Sequence, residues 1–210
     1  MRAESRPHLV VKIGGSLCGS PLLPQWMAAL RVASFALTIV SGGGPFADAV
    51  RATQPKMGFS DDAAHRMALL AMEQYALALA DRFEDLALAA SLDDMRGAHA
   101  RGCAAVWRPS AMVATAIDIP ANWDVTSDSL AAWLARRAKA AALLLVKSVD
   151  AGDGDPVARG IVDPAISAYV GDSPVFIAGP SALAGAAQHL ASGAVPGARI
   201  LSLSSQKIAS

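Results

Sequence analysis

The chain has 210 residues and 21.5 kDa, is 53% apolar and 17% charged, and carries a formal net charge of zero. That excludes a disordered chain, leaves no global field to attract nucleic acid or an anionic membrane, and suits a single domain over residues 1–210. The two cysteines, Cys18 and Cys103, show neither CxxC nor metal-ligand spacing and read as ordinary thiols of a reducing compartment. With no apolar leader before the first strand and no membrane-spanning run, a cytoplasmic protein is expected.

In chain order, "HLVVKI" is a nearly continuous apolar run, as in a strand covered on both faces. "PQWMAALRVA" reads as a helix, "ALTIVS" as a second buried strand, and "FADAVRAT" as a short helix after the break "GGGP". The stretch "SDDAAHRMALLAMEQYALALADRF" is the longest helical segment, with Ser60 as N-cap and Asp61 and Asp62 in a first turn that favours negative charge. Residues 85–107 are expected to hold a short strand, a helix and a strand near "CAAVW". Next come a helix from Ser127, the strand "AALLLVKS", the long loop Ser148–Pro164, the strand "PVFIAG", the helix "PSALAGAAQHLAS" and a last strand "ARILSL". Alternating helices and doubly apolar strands imply an α/β, three-layer αβα sandwich with a mainly parallel central sheet.

Ligands of parallel α/β sheets bind beyond the carboxyl ends of the strands. Three strands end informatively, in "KIGGS", "SGGGP" and "VKSVDAGDGD". Two glycine turns at strand ends let backbone N–H groups approach a phosphate, and the following helix N-terminus adds positive potential. They could also be nothing more than tight turns; the strand-end Lys12 tips the balance toward an anion site. No GxxxxGK[ST] loop and no GxGxxG fingerprint occurs. Bland readings stand beside the others: Asp128 as a dipole-stabilised first-turn residue, Lys147 as a solvated strand-end lysine, Asp48 and Arg51 as a surface ion pair. His65 reads as a packed or half-exposed helix residue, and His8, His99 and His189 show no ligand spacing.

Taken together, "VVKIGGSL", "LTIVSGGGPFADAVR", "WDVTSDSLAAWLA" and "LLLVKSVDAG" resemble, in that order, the amino acid kinase superfamily. Within it, "GGGPFADAVR" and "AHRMALLAMEQYALAL" are most similar to the kinases of methanofuran biosynthesis, which convert [5-(aminomethyl)furan-3-yl]methyl phosphate to its diphosphate. The resemblance implies ATP as donor, Mg²⁺ held mainly by phosphates rather than by protein ligands, a small-molecule acceptor and a homo-oligomer. It implies that Lys12 neutralises the transferring phosphoryl group, with Gly14, Gly15 and Ser16 donating to the same phosphates. Gly42, Gly43 and Gly44 would face the acceptor, Asp128 would orient the catalytic lysine, and Lys147, Ser148 and Asp150 would lie at the nucleoside end of ATP.

Departures from the family pattern are "IAGPSAL" and "VPGARIL" in the last blocks, and a long loop whose only cation is Arg159 where some members carry a second lysine. A phosphate monoester is already a dianion near pH 7, so no general base is needed, and none stands out. Arg51 is the expected grip on the acceptor phosphate. Asp48, or failing it Asp61 or Asp62, is the expected partner of an ammonium, and Phe46 or Trp123 the cover for a ring. The alternatives are a kinase of the same superfamily for a carboxylate, UMP or an isoprenoid phosphate, and a non-catalytic nucleotide-binding or storage protein of the same fold.

Overall fold

The computed structural model describes residues 6–200. Its centre is a seven-stranded sheet in the order β3-β4-β2-β1-β5-β6-β7. The strands are β1 (His8–Ile13), β2 (Ala36–Ser41), β3 (Leu86–Ala89), β4 (Ala104–Trp107), β5 (Ala142–Val146), β6 (Val175–Ala178) and β7 (Ala198–Arg199). All pair in parallel except β7, which runs antiparallel to β6. The helices are α1 (Leu22–Arg31), α2 (Gly44–Met57), α3 (Asp61–Arg82), α4 (Leu92–Ala100), α5 (Ser110–Val113), α6 (Ser127–Arg137), α7 (Ile166–Tyr169) and α8 (Leu183–Ser192). None of the described helices is long and apolar enough to cross a membrane.

The three-layer expectation holds because each central strand is apolar on both faces. On β1, Val10 faces the core under α4, α6 and α7, whereas Leu9, Val11 and Ile13 face the core under α1 and α8. This two-residue alternation puts Lys12 on the α6 side, the side of Val10. The parallel register pairs Lys12 with Leu145, so Lys147, two residues further along, emerges on the same face. Two lysines from neighbouring strands thereby meet under one helix.

Local details follow the chain's chemistry. The Ser60 side chain accepts from Ala63 N at 3.2 Å and starts α3 as its pattern predicts. Helix α2 is longer than "FADAVRAT": it continues through Pro55 to Met57 and stops at Gly58, whose left-handed φ of 71° lets its N–H reach the Gln54 carbonyl. Short helices α5 and α7 lie in stretches too short to show helical periodicity. Of the "ARILSL" strand, only Ala198–Arg199 is seen as strand, and residues 201–203 lie outside the described residues.

At the opposite end of the sheet from the glycine turns, His8, Thr38 and His99 form a half-buried polar cluster. The Thr38 hydroxyl lies 2.9 Å from His8 Nε2 and 3.3 Å from His99 Nε2, and His99 Nε2 donates to the Leu37 carbonyl at 2.8 Å. Burial, and then the neighbouring His99, push the His8 imidazole down to about 4. Its folded pKa is therefore below its unfolded one, so the neutral ring contributes its full stability above about pH 6.5 and loses it as pH falls toward 4. At about 1.4 kcal/mol per unit, roughly 2–3 kcal/mol of stability should vanish across that window. Urea denaturation at several pH values should show the slope, and His8→Gln should flatten it. An unchanged slope in the variant would remove His8 as its source.

Candidate active site

The site is built where β1, β2 and β5 end. Strand β1 runs into Gly14-Gly15 and β2 into Gly42-Gly43-Gly44, and these two turns lie backbone against backbone. A Cβ on Gly15 would sit 2.7 Å from Gly44 N, and one on Gly42 only 2.5 Å from Gly15 N. Only glycine permits that approach. Gly14 N donates to the Val146 carbonyl at 2.9 Å and Gly42 N to the Ile13 carbonyl at 2.8 Å, so both turns are pinned to the sheet. Ser16 Oγ lies 2.8 Å from Ser148 Oγ, which brings the first turn to the start of the loop after β5.

Beside these turns stands a buried charge cluster. Lys12 Nζ lies 2.8 Å from Asp128 Oδ1, and Lys147 Nζ lies 2.5 Å from Asp128 Oδ2. The three residues are 5%, 3% and 8% exposed, so this is an interior cluster rather than a surface ion pair. Burial alone would raise the Asp128 carboxyl, but the two ammonium groups outweigh it and hold the carboxyl below its ordinary value. For Lys147, burial and the like charge of Lys12 lower the ammonium to about 8, against the opposing pull of Asp128 and Asp163. The cluster holds two positive charges and one negative. It is a local cation in a neutral protein.

The structure brings Lys12, Gly14, Gly15, Ser16, Gly42, Gly43, Gly44, Asp128, Lys147 and Ser148 into one neighbourhood. Lys147 is turned inward onto Asp128, so the bland picture of a solvated strand-end lysine does not hold. Asp150 Oδ1 accepts from Ser181 N at 3.1 Å and Ser181 Oγ at 2.7 Å, tying the loop after β5 to the turn after β6. Arg159 is spent on its own loop, donating to the Ala151 and Asp153 carbonyls. Lys147, at the end of β5, is the second lysine of the cluster. Sequence reasoning overlooked Asp163, whose carboxylate accepts from Thr126 N, Thr126 Oγ1 and Ser129 N at the start of α6.

Next to the glycine turns opens a cavity of about 260 Å³, walled by α2, α3 and the 122–127 segment. Asp48, Arg51, Asp61, His65 and Trp123 line it. Arg51 lies 4.4 Å from the Trp123 ring centroid and 3.1 Å from Asp48 Oδ1. Trp123 Nε1 donates to Gln54 Oε1, and Gln54 Nε2 donates to Asp61 Oδ1, both at 2.7 Å. Asp62 instead pairs with Arg66 on the surface, and Phe46 is not among the cavity walls, so Asp61 and Trp123 are the members of those pairs placed at the site. A cavity of about 300 Å³ near Arg31, Glu84 and Gly102 lies at the strand starts, far from this chemistry.

Both Asp128 oxygens are taken by lysines, and no group of three His, Cys, Asp or Glu side chains among the described residues is arranged to hold a metal. That donor set fits a magnesium ion that arrives on phosphates better than one caged by protein.

A parallel sheet with paired glycine turns and a strand-end lysine on a helix-borne aspartate defines the class. The chain belongs to the amino acid kinase family, whose model matches residues 8–157. It is 24% identical over 146 residues to the [5-(aminomethyl)furan-3-yl]methyl phosphate kinase of Methanocaldococcus jannaschii. That match covers 67% of this chain and 66% of the relative, so it spans somewhat less than two thirds of the relative's length. The fold is that of the uridylate kinase from Archaeoglobus fulgidus, with a TM-score of 0.60 at 16% identity over 91% of this chain and 99% of that one. The UMP kinase from Bacillus anthracis gives 0.63 at 14% identity, over 94% and 96% of the respective chains.

Asp128→Asn would leave two buried ammonium groups without a counter-charge. We expect it to cost about 3–5 kcal/mol at pH 7, against about 0.3–1 kcal/mol if the carboxylate served only the helix dipole. The loss should be smaller at pH 9.5, where Lys147 has released its proton. Denaturation of wild type and variant at both pH values separates these outcomes.

Proposed function

We propose that this protein is an ATP-dependent phosphotransferase that converts a small phosphate monoester bearing an amine to its diphosphate, with [5-(aminomethyl)furan-3-yl]methyl phosphate as the acceptor. The observation that carries this reading is the buried Lys12–Asp128–Lys147 cluster beside two fused glycine turns, opening onto a cavity that offers a guanidinium, an indole and carboxylates.

In-line phosphoryl transfer asks a protein for positioning and charge neutralisation more than for covalent chemistry. Two anions must approach each other. Lys12 and Lys147 supply positive charge at one point, and Asp128 fixes both ammonium groups before any phosphate arrives, so little reorganisation remains to be done in the transition state. The N–H groups of the glycine turns donate to phosphate oxygens between donor and acceptor. Magnesium, when bound on the phosphates of ATP, adds further neutralisation there. On the acceptor side, Arg51 grips the phosphate with two parallel hydrogen bonds, held ready by its stacking on Trp123. Asp61 and Asp48 are the carboxylates within reach of an ammonium. The acceptor is its own nucleophile, since its second ionisation lies near pH 6.

A second reading, phosphorylation of UMP, is favoured by the fold shared with two uridylate kinases. A carboxylate pair suits an ammonium better than a neutral uracil, so an amine-dependent acceptor distinguishes the two.

Purified protein with ATP, Mg²⁺ and a panel of the furan phosphate, its alcohol, UMP, isopentenyl phosphate, aspartate and acetylglutamate provides the test. We expect turnover of the furan phosphate and almost none of the alcohol, which lacks the anionic nucleophile. Preferred turnover of UMP would replace the acceptor assignment; ATP bound without turnover of any acceptor would point to a storage role. Lys12→Ala should lower kcat roughly a hundredfold or more while the protein stays folded. The alkaline limb of kcat/KM should fall near pH 8, where free-enzyme Lys147 loses its charge. A profile flat to pH 10 would separate Lys147 from the chemistry.

A further inference from the structure

We infer that Asp163 is the positioning residue of the phosphoryl-transfer centre, setting Asp128 and supporting the charge of Lys147 from the far end of the loop that follows β5. The inference rests on the kinase reading above and extends it to a residue outside the conspicuous motifs.

Helix α6 starts without a side-chain cap of its own: Thr126 occupies the N-cap position, yet its hydroxyl makes no capping bond. The cap is supplied from 37 residues away. The Asp163 carboxylate accepts from Thr126 N at 3.1 Å through Oδ2, from Ser129 N at 3.0 Å through the same oxygen, and from Thr126 Oγ1 at 2.5 Å through Oδ1. A carboxylate on the first free N–H groups of a helix is favoured by hydrogen bonding and by the helix dipole together. Here the two capped N–H groups bracket Asp128, which lies between them in the first turn. The Asp163 backbone N–H also lies 3.4 Å from Asp128 Oδ2, the oxygen that carries Lys147.

The topology makes the bracket consequential. The loop leaves β5 directly after Lys147 and returns to α6 at Asp163. One segment therefore joins the strand that carries one lysine to the helix that carries the shared carboxylate. The charged groups facing Lys147 are Lys12 from β1, Asp128 from α6 and Asp163 from the loop. Removing the Asp163 charge leaves the ammonium with one carboxylate against one lysine. Asp163 does not line the acceptor cavity, so its removal has no direct route to acceptor affinity.

Two variants test this. Asp163→Asn keeps the size and one accepting oxygen for the helix N–H groups and removes only the charge. Asp163→Ala removes the cap as well. We expect Asp163→Ala, assayed well below its own melting temperature, to lower kcat roughly tenfold or more with KM for ATP and acceptor changed less than about twofold. We expect Asp163→Asn to recover most of that kcat but to move the alkaline limb of kcat/KM to lower pH. A merely structural cap would not move the limb. A lysine-detected NMR titration, with Lys147 assigned by comparison with Lys147→Met, reads the same shift without turnover. Wild-type kcat in Asp163→Ala overturns the inference, and so does an unmoved titration in Asp163→Asn. If wild type phosphorylates nothing in the panel, the kinase reading fails on its own evidence, and the titration still decides whether Asp163 governs the charge on Lys147.

Discussion

One buried carboxylate holds the centre of this molecule together. Asp128 is ion-paired with two ammonium groups at the ends of two strands, and none of the three side chains has water enough around it to stand alone. Such a cluster is a poor source of stability, because desolvating three charges offsets most of their attraction. It is better understood as a device for specificity of placement. The β1–β5 register, the apolar alternation that puts Lys12 and Lys147 on one face, and the entry angle of α6 all have to be right for the charges to balance. An error in any of them strands an ion in the core.

Much of this was legible in the chain. Lys12 ahead of its glycines, the second glycine run and Asp128 in a helix's first turn are local patterns, and local patterns survive translation into structure. The strand and helix order was legible for the same reason, since doubly apolar strands alternate cleanly with helices. What the sequence hid is non-local. Lys147 was visible as a strand-end lysine, but its inward turn depends on the pairing of Lys12 with Leu145, which no single segment records. Asp163 sits in a glycine-rich loop with other acidic residues, and nothing nearby marks it as the cap of a helix 37 residues earlier in the chain. Arg159 is the long loop's lone cation, and its guanidinium serves loop carbonyls. The last strand was legible as an element but not its antiparallel direction, and the short helices α5 and α7 lack any periodicity long enough to read.

The cavity beside the glycine turns is organised by different means. Its polar groups are half in solvent and are tied into a chain from Arg51 through Trp123 and Gln54 to Asp61. Each link is exposed enough to be individually weak, yet together they fix an aromatic face and a guanidinium without a rigid core behind them. The buried cluster is fixed by desolvated charge, the cavity by a relay of exposed contacts.

The contact between the two glycine turns sets a boundary on how this scaffold can change. Because Gly15 and Gly42 each occupy the space a neighbour's side chain would need, neither turn can accept a substitution by adjusting the other. The floor of the site is thus closed to gradual drift. New acceptors, whether reached by selection or by engineering, have to be accommodated in the α2 and α3 walls and in the 122–127 segment, where Arg51, Asp61, His65 and Trp123 can be exchanged without disturbing a backbone contact. Divergence among chains built this way should concentrate in those walls while the glycine floor stays fixed.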